Sequence, residues 1–276
     1  MIRFCFLAAL LVAAPPAAAV QRVVTLAPHL AELVCAAGGC DKLVGVVEWT
    51  DYPPQAAAVR KVGDAFNVNP EAVLPLMPDL VLAWDGGTAR AVGERLARLG
   101  LRVEWIRVRR LGDIADALER VGALLGSAAA ARPAAQQFRA GLAALAQEQA
   151  GKSPVRVLYQ IETEPIYTVN RESPISQALE LCGGVNVFAG LAQLAAPVGR
   201  ESILDADPEA IVFARQDDVA RIRAGWQRWP QVAAVRRGHL YAIDAGVLER
   251  ATPRMLEGIT QLCALLDQVR AGSPNP

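Results

Sequence analysis

A chain of 276 residues is long enough for one large domain or for two lobes of ordinary size. Lys and Arg total 28 and Asp and Glu total 28, a balance that excludes the basic footprint of a general nucleic-acid binder. Hydrophobic residues make up 53% and aromatic residues 5%, so Ala, Leu and Val must fill a sizeable folded core.

Residues 1–19 read as a signal peptide. Met1-Ile2-Arg3 gives a positive start and Phe4 to Ala14 an apolar run too short for a comfortable membrane span. Ala17-Ala18-Ala19 then offers small residues for cleavage before Val20. No later stretch reaches about 18 uninterrupted apolar residues, so an exported protein without a membrane span is expected.

Beyond the leader, short β-branched runs alternate with helical patterns, the signature of parallel sheets covered by helices. In the first half the strands are 22–26, 43–47, 80–83 and 103–106, and the helices are 30–37, 70–76, 90–99 and 114–125. Gly100 and Gly126 mark two helix ends. Residues 128–151 carry no strand signal; their Ala-, Gln- and Leu-rich composition predicts one helix of about 35 Å. Pro133 places the start of its regular part near Arg132, since proline is tolerated in a first turn. Strand patterns resume at 155–160, 211–214 and 240–243. The last helix is expected to start at Thr252-Pro253, an N-cap and a first-turn proline, with a core stripe of Met255, Ile259, Leu262, Cys263, Leu266 and Val269.

A segment recurs 130 positions later, Glu71-Ala-Val-Leu-Pro-Leu-Met-Pro-Asp-Leu-Val-Leu-Ala returning as Glu201-Ser-Ile-Leu-Asp-Ala-Asp-Pro-Glu-Ala-Ile-Val-Phe. Each copy reads as a short helix, a proline turn and a buried strand. The expectation is an α/β protein of two pseudo-symmetric lobes, 20–127 and 152–276, with mostly parallel sheets. One long helix, 128–151, joins them, and a ligand cleft lies between.

Export leaves Cys35, Cys40, Cys182 and Cys263 in a disulfide-permissive compartment, where three pairings or four buried thiols are open. A bridge from Cys35 to Cys40 would close a turn after a helix; one from Cys182 to Cys263 would close a long loop.

Chemistry is sparse. G-x-S-x-G, P-loop, G-x-G-x-x-G and H-E-x-x-H patterns are absent, and no catalytic residues, metal ligands or cofactor are expected. Only two histidines occur, too few and too far apart for a zinc or manganese receptor. His239 reads as a turn residue before a strand. His29 follows the first strand, where open α/β sheets take ligands. The aromatics also cluster in loops after strands: Trp49 and Tyr52, Trp84 before Asp85-Gly86-Gly87, and Tyr167. Together with 246–250 they suit a large, flat, partly apolar ligand. Glu71 and Glu201 sit where helix dipoles favour acids, and equivalent acids on two lobes could meet basic residues of a two-fold partner.

These features resemble the family of periplasmic cobalamin (vitamin B12)-binding proteins of ABC importers, in the helical-backbone class that also handles siderophores and haem. The likeness is carried by Asp51-Tyr-Pro-Pro-Gln-Ala56, Pro78-Asp-Leu-Val-Leu-Ala-Trp-Asp-Gly-Gly87, Leu179-Glu-Leu-Cys-Gly-Gly184 and Glu249-Arg-Ala-Thr-Pro-Arg254. The resemblance implies that Tyr52 contacts the corrin, that Trp84 and Tyr167 line the pocket, and that Gly246, Val247, Leu248, Glu249 and Arg250 form a further wall. It implies docking of Glu71 and Glu201 onto arginines of a permease dimer in the inner membrane, and a disulfide between Cys182 and Cys263. Ala65 and Ala195 stand where the family carries pocket tryptophans, Gly246-Val247 replaces an acidic-aromatic pair, and Phe66 is placed to compensate in part. Cys35 and Cys40 fall outside the pattern. The reading is a monomeric periplasmic binding protein that delivers a corrinoid, without catalysis. A haem or ferric-siderophore receptor is the alternative of the same class, and an extracytoplasmic enzyme using a cleft acid or His29 the alternative of another.

Overall fold

The computed structural model describes residues 19–64, 67–88, 90–214 and 218–272. The expected leader therefore lies outside the described residues except for Ala19, as do Ala65 and Phe66. Eleven strands occur among the described residues: β1 (Val23–Thr25), β2 (Leu43–Gly45), β3 (Leu80–Trp84), β4 (Val103–Ile106), β5 (Val155–Gln160), β6 (Glu162–Thr163), β7 (Ile166–Val169), β8 (Gly184–Asn186), β9 (Ala195–Pro197), β10 (Ala210–Ala214) and β11 (Leu240–Ile243).

Two four-stranded parallel sheets result, ordered β2-β1-β3-β4 and β11-β10-β5-β8. The central strands β3 (Leu-Val-Leu-Ala-Trp) and β10 (Ala-Ile-Val-Phe-Ala) are apolar throughout because helices cover both faces. The two lobes repeat each other in detail. Met77 and Asp207 both take left-handed backbone, with φ 42° and 36°, immediately before the proline turn. The carboxylate of Asp79 accepts the amides of Gln21 and Arg22, and that of Glu209 accepts the amide of Arg156. Arg22 Nε donates to Leu76 O, and an Arg156 Nη donates to Asp207 O. The acid after each proline thus holds the start of the neighbouring strand, a local device written twice.

The connecting helix runs Ala128–Gln149, so it begins four residues before the expected Arg132 and carries Pro133 inside. Packing explains the difference. A Cβ on Gly122 would stand 2.3 Å from that of Ala131, and one on Gly38 2.7 Å from that of Ala130, so the first turn is pressed onto glycines of the preceding elements. Ser127 O accepts the amides of Ala130 and Ala131 and completes that turn. The last helix, Met255–Arg270, buries the whole expected stripe. Its cap is not Thr252, however: that side chain is fully buried and its Oγ1 has no hydrogen-bond partner among the described residues.

Cys35 pairs with Cys40 and Cys182 with Cys263. One apolar cluster runs from Val23 and Leu118 through Phe138 of the connecting helix to Tyr241 and Ile259, so the lobes share a core at their base. No described helix is long and apolar enough to cross a membrane.

Candidate functional site: a cleft between the lobes

The carboxyl ends of both parallel sheets open onto one cavity of about 440 Å³, within the usual range for small-molecule sites. The N-terminal lobe lines it with His29, Trp84, Asp85, Gly86, Val108 and Arg109. The C-terminal lobe contributes Ile161, Glu162, Val169, Leu194 and Ala195, the loop 172–175, and Leu248, Glu249, Ala251 and Met255.

Trp84 ends β3 and is half-buried. The Asp85-Gly86-Gly87 turn folds back over its indole, and a Cβ on Gly87 would stand 2.0 Å from the ring, so any side chain there would have to displace the indole. His29 meets the same indole edge-on, with ring centroids 4.9 Å apart. Burial, reinforced by the nearby Arg250 guanidinium, lowers the His29 pKa from 6.5 to about 4, so the imidazole is neutral. Its Nε2 has no hydrogen-bond partner among the described residues. Because the folded pKa lies below the unfolded one, the unfolded chain takes up the proton first, and stability falls as pH drops from 6.5 towards 4. The loss from this group amounts to about 3 kcal/mol once pH is below 4, and urea titrations of a His29→Gln variant are expected to lack that part of the acid sensitivity.

The second wall comes from a small antiparallel sheet ordered β6-β7-β9, whose two- to four-residue strands carry no clear period in the sequence. Val169 of β7 lines the cavity, and Tyr167, two residues earlier, shares its face further out, opposite Glu162 and Pro197. Ala195, where the resemblance led to a tryptophan comparison, forms part of the wall.

Of the expected run 246–250, Leu248 and Glu249 reach the cavity. Gly246 and Val247 do not: they are buried in a helical turn against the last helix, where a Cβ on Gly258 would meet Val247 O at 2.5 Å. Glu249 accepts a 3.0 Å hydrogen bond from the buried Tyr159 hydroxyl, and burial together with that carboxylate raises the Tyr159 pKa well above 10.

Tyr52 and Arg250 sit beside the cavity rather than in its lining. The Arg254 guanidinium lies 3.7 Å over the Tyr52 ring. Arg250 is held by Glu32, Asp51 and the Trp49 carbonyl. Burial opposes it, but the side-chain bond and charge of Arg250 keep the Asp51 carboxyl below its ordinary value. Trp49, expected with Tyr52 among the loop aromatics, lies outside the cavity lining. It is 80% exposed, and its φ of 63° is uncommon for so bulky a residue and a marker of functional loops. Glu71 and Glu201 are both exposed, each in the first turn of a short helix, Pro70–Val73 and Arg200–Ala206, away from the cavity lining.

Among the described residues, no carboxylate or nucleophile bonds His29 Nε2. Among the described residues no cluster of three or more His, Cys, Asp and Glu side chains could hold a metal ion.

A cleft between two α/β lobes joined by one long helix defines a solute-binding protein of the helical-backbone class. The chain belongs to the periplasmic binding protein family, whose model matches residues 23–247. It is 34% identical over 264 residues to the vitamin B12-binding protein of Vibrio cholerae, covering 95% of this chain and 94% of that one. To the vitamin B12-binding protein of Salmonella typhimurium it is 35% identical over 252 residues, covering 91% and 92%. Among solved structures, the periplasmic vitamin B12-binding protein of Vibrio cholerae superposes with a TM-score of 0.84 at 33% identity, covering 91% of this chain and 98% of that one. A periplasmic haem-binding protein from Pseudomonas aeruginosa superposes with a TM-score of 0.79 at 26% identity, covering 89% and 92%.

Proposed function

We propose that the protein is a periplasmic receptor that binds a corrinoid, cobalamin foremost, and delivers it to the permease dimer of an inner-membrane ABC importer. It would catalyse no reaction and act as a monomer, exported by a cleavable leader at 1–19. Segments 20–127 and 152–276 would act as the two lobes and 128–151 as the rod between them. Named relatives that bind vitamin B12 support the cargo.

The observation that carries the reading is the polarity of the cleft. Among the described residues, the carboxylates of Asp85, Glu162, Glu172 and Glu249 line it with one guanidinium, Arg109, beside His29, Ser173 and apolar side chains. A corrinoid presents a flat apolar ring bordered by carboxamides, whose N–H groups donate to such carboxylates. Asp85 is already paired with Arg90 and Arg107, and Glu172 lies 4.0 Å from Arg109, so it is Glu162 and Glu249 that would disfavour the two carboxylates haem presents. The cavity of about 440 Å³ is smaller than a whole cobalamin, so part of the ligand would remain in solvent. Trp84 and Trp49 would supply aromatic faces, Tyr167 and the outer edge of Tyr52 further contact, and Leu248 and Glu249 the lower wall, with Arg250 at its rim and Gly246 and Val247 in support from behind. Glu71 and Glu201, exposed and equivalent on the two lobes, would dock onto the permease.

A second reading, a haem receptor, is favoured by the neutral His29 imidazole in the cavity lining, whose buried Nε2 has no partner among the described residues and would become an axial ligand for iron if the wall opened to it. Calorimetric titration with cyanocobalamin, haemin and a ferric hydroxamate separates the two. One-to-one binding of cyanocobalamin is expected, weakened about 100-fold, roughly 3 kcal/mol, in Trp49→Ala with Trp84→Ala. Binding of haemin alone, with a haem absorption band that His29→Ala removes, would replace the cargo.

A further inference from the structure

We infer that Glu32 is a positioning residue for the cleft: its carboxylate clamps Arg250 and Arg254 of the opposite lobe and thereby fixes the spacing of the two walls before any ligand arrives. Glu32 lies on the N-terminal-lobe helix Pro28–Ala36, one turn beyond His29, with its side chain 3% exposed. Arg254 grips it with two parallel bonds, Nε to Oε2 and Nη2 to Oε1, both 2.9 Å. Arg250 adds a third, Nη1 to Oε1 at 3.1 Å. Both arginines come from the C-terminal-lobe segment that also carries Leu248 and Glu249.

The same two guanidinia reach further along the cleft edge. Arg250 also binds both oxygens of Asp51, and it donates to the Trp49 carbonyl at 3.0 Å. Arg254 stacks on Tyr52 and donates to Gly246 O at 3.3 Å. Two carboxylates, Glu32 and Asp51, thus face two guanidinia, and the charges balance. The side chains of Arg250 and Arg254 are 14% and 20% exposed, so the cluster is largely out of water, where a paired charge is held firmly and an unpaired one is not tolerated. Asp51 is the outer member, 61% exposed, and cannot replace Glu32 in neutralising both cations.

Preset spacing has a kinetic consequence. A cleft held at its binding width loses little freedom when the ligand enters, and the ligand leaves slowly. Near the far end of the cavity the lobes touch through weaker links: Arg109 and Glu172 at 4.0 Å, both side chains exposed, and Gln177 with the backbone of Arg109 and Leu111. The clamp therefore carries most of the polar restraint between the walls.

This inference deepens the reading of the cleft as a corrinoid site and rests on it only for the choice of ligand. Hydrogen exchange of unliganded protein tests the clamp independently of the cargo. In Glu32→Gln, peptides spanning 46–52 and 244–254 are expected to exchange about tenfold faster or more, while β3 and β10 keep their protection. Cyanocobalamin should dissociate about tenfold faster, with association changed much less. In the double variant Glu32→Gln with Arg254→Gln the dissociation rate should match the single variant, since both break one clamp. Should Glu32→Gln not fold, Arg254→Lys, which keeps the charge and loses the two-bond fork, gives the same local readout. Local exchange at the wild-type rate, acceleration spread evenly over the chain, or effects that multiply in the double variant would overturn the clamp. Absence of cyanocobalamin binding by wild-type protein would overturn the cargo and leave the exchange result standing.

Discussion

Replacing Glu71 and Glu201 together by lysine is expected to abolish corrinoid uptake by cells while the purified protein still binds cyanocobalamin with unchanged affinity. The two acids stand at equivalent places on two lobes, each exposed in the first turn of a short helix that runs into a proline turn and a buried strand. Neither lies in the cavity lining, so their reversal leaves the ligand contacts alone. Asn69 already accepts the Glu71 amide, so the helix start does not depend on the glutamate side chain. Two equivalent carboxylates suit a partner with its own two-fold symmetry, where each meets an arginine in a two-bond pair. If these acids meet permease guanidinia as proposed, two new cations at those places would turn attraction into repulsion and should lower uptake by about 100-fold or more. Uptake of labelled cobalamin by cells carrying the matching importer, beside calorimetry of the variant, gives both readouts. Normal uptake would remove these residues from the docking surface; lost affinity would place them in the cleft.

Replacing Cys182 and Cys263 together by alanine is expected to lower stability by about 4 kcal/mol and the melting temperature by roughly 10 °C or more. The bridge spans 81 positions and ties the end of the Pro174–Leu181 helix to the middle of the last helix, with both cysteines buried in the core. Reduction frees that long loop in the unfolded chain. The Cys35–Cys40 bridge spans only 5 positions, and the same loop-entropy argument gives it about 2 kcal/mol. Calorimetric melting of the two paired variants should therefore rank them in that order. Equal shifts would show that loop length does not govern their contribution.

Much of the fold is legible in the residues themselves. Buried parallel strands are apolar on both faces, so Leu80–Trp84 and Ala210–Ala214 announce themselves without an alternating pattern. The repeat of Glu71-to-Ala83 at Glu201-to-Phe213 foretells two related sheets, and their matching strand orders, β2-β1-β3-β4 and β8-β5-β10-β11, agree with it. The wall made by β6, β7 and β9 is another matter. Strands of two to four residues, interrupted by Pro165 and Pro197, have too few positions to show a period, and their pairing is set by neighbours distant in the chain. The helix start at Ala128 likewise depended on Gly38 and Gly122, which the local sequence around Pro133 cannot announce.

The candidate site divides along the same line. Loops at strand ends put Trp84, Leu248 and Glu249 at the cleft because in an α/β sheet every parallel strand delivers its following loop to one edge. Which side of each loop faces the ligand is fixed by packing between lobes. Arg254 covers Tyr52 while Trp49 stays open, and Gly246 and Val247 turn inward against Gly258. Glu32 is the clearest case. On its own helix it is one acid in an apolar run, and only the approach of Arg250 and Arg254, more than two hundred positions away in the chain, makes its charge tolerable in the interior. Periodicity, glycine and proline positions and the internal repeat, all local, set the class of fold and the edge at which a ligand binds. Charge pairing and side-chain facing across the cleft are contacts between distant segments, and the tertiary structure alone decides them.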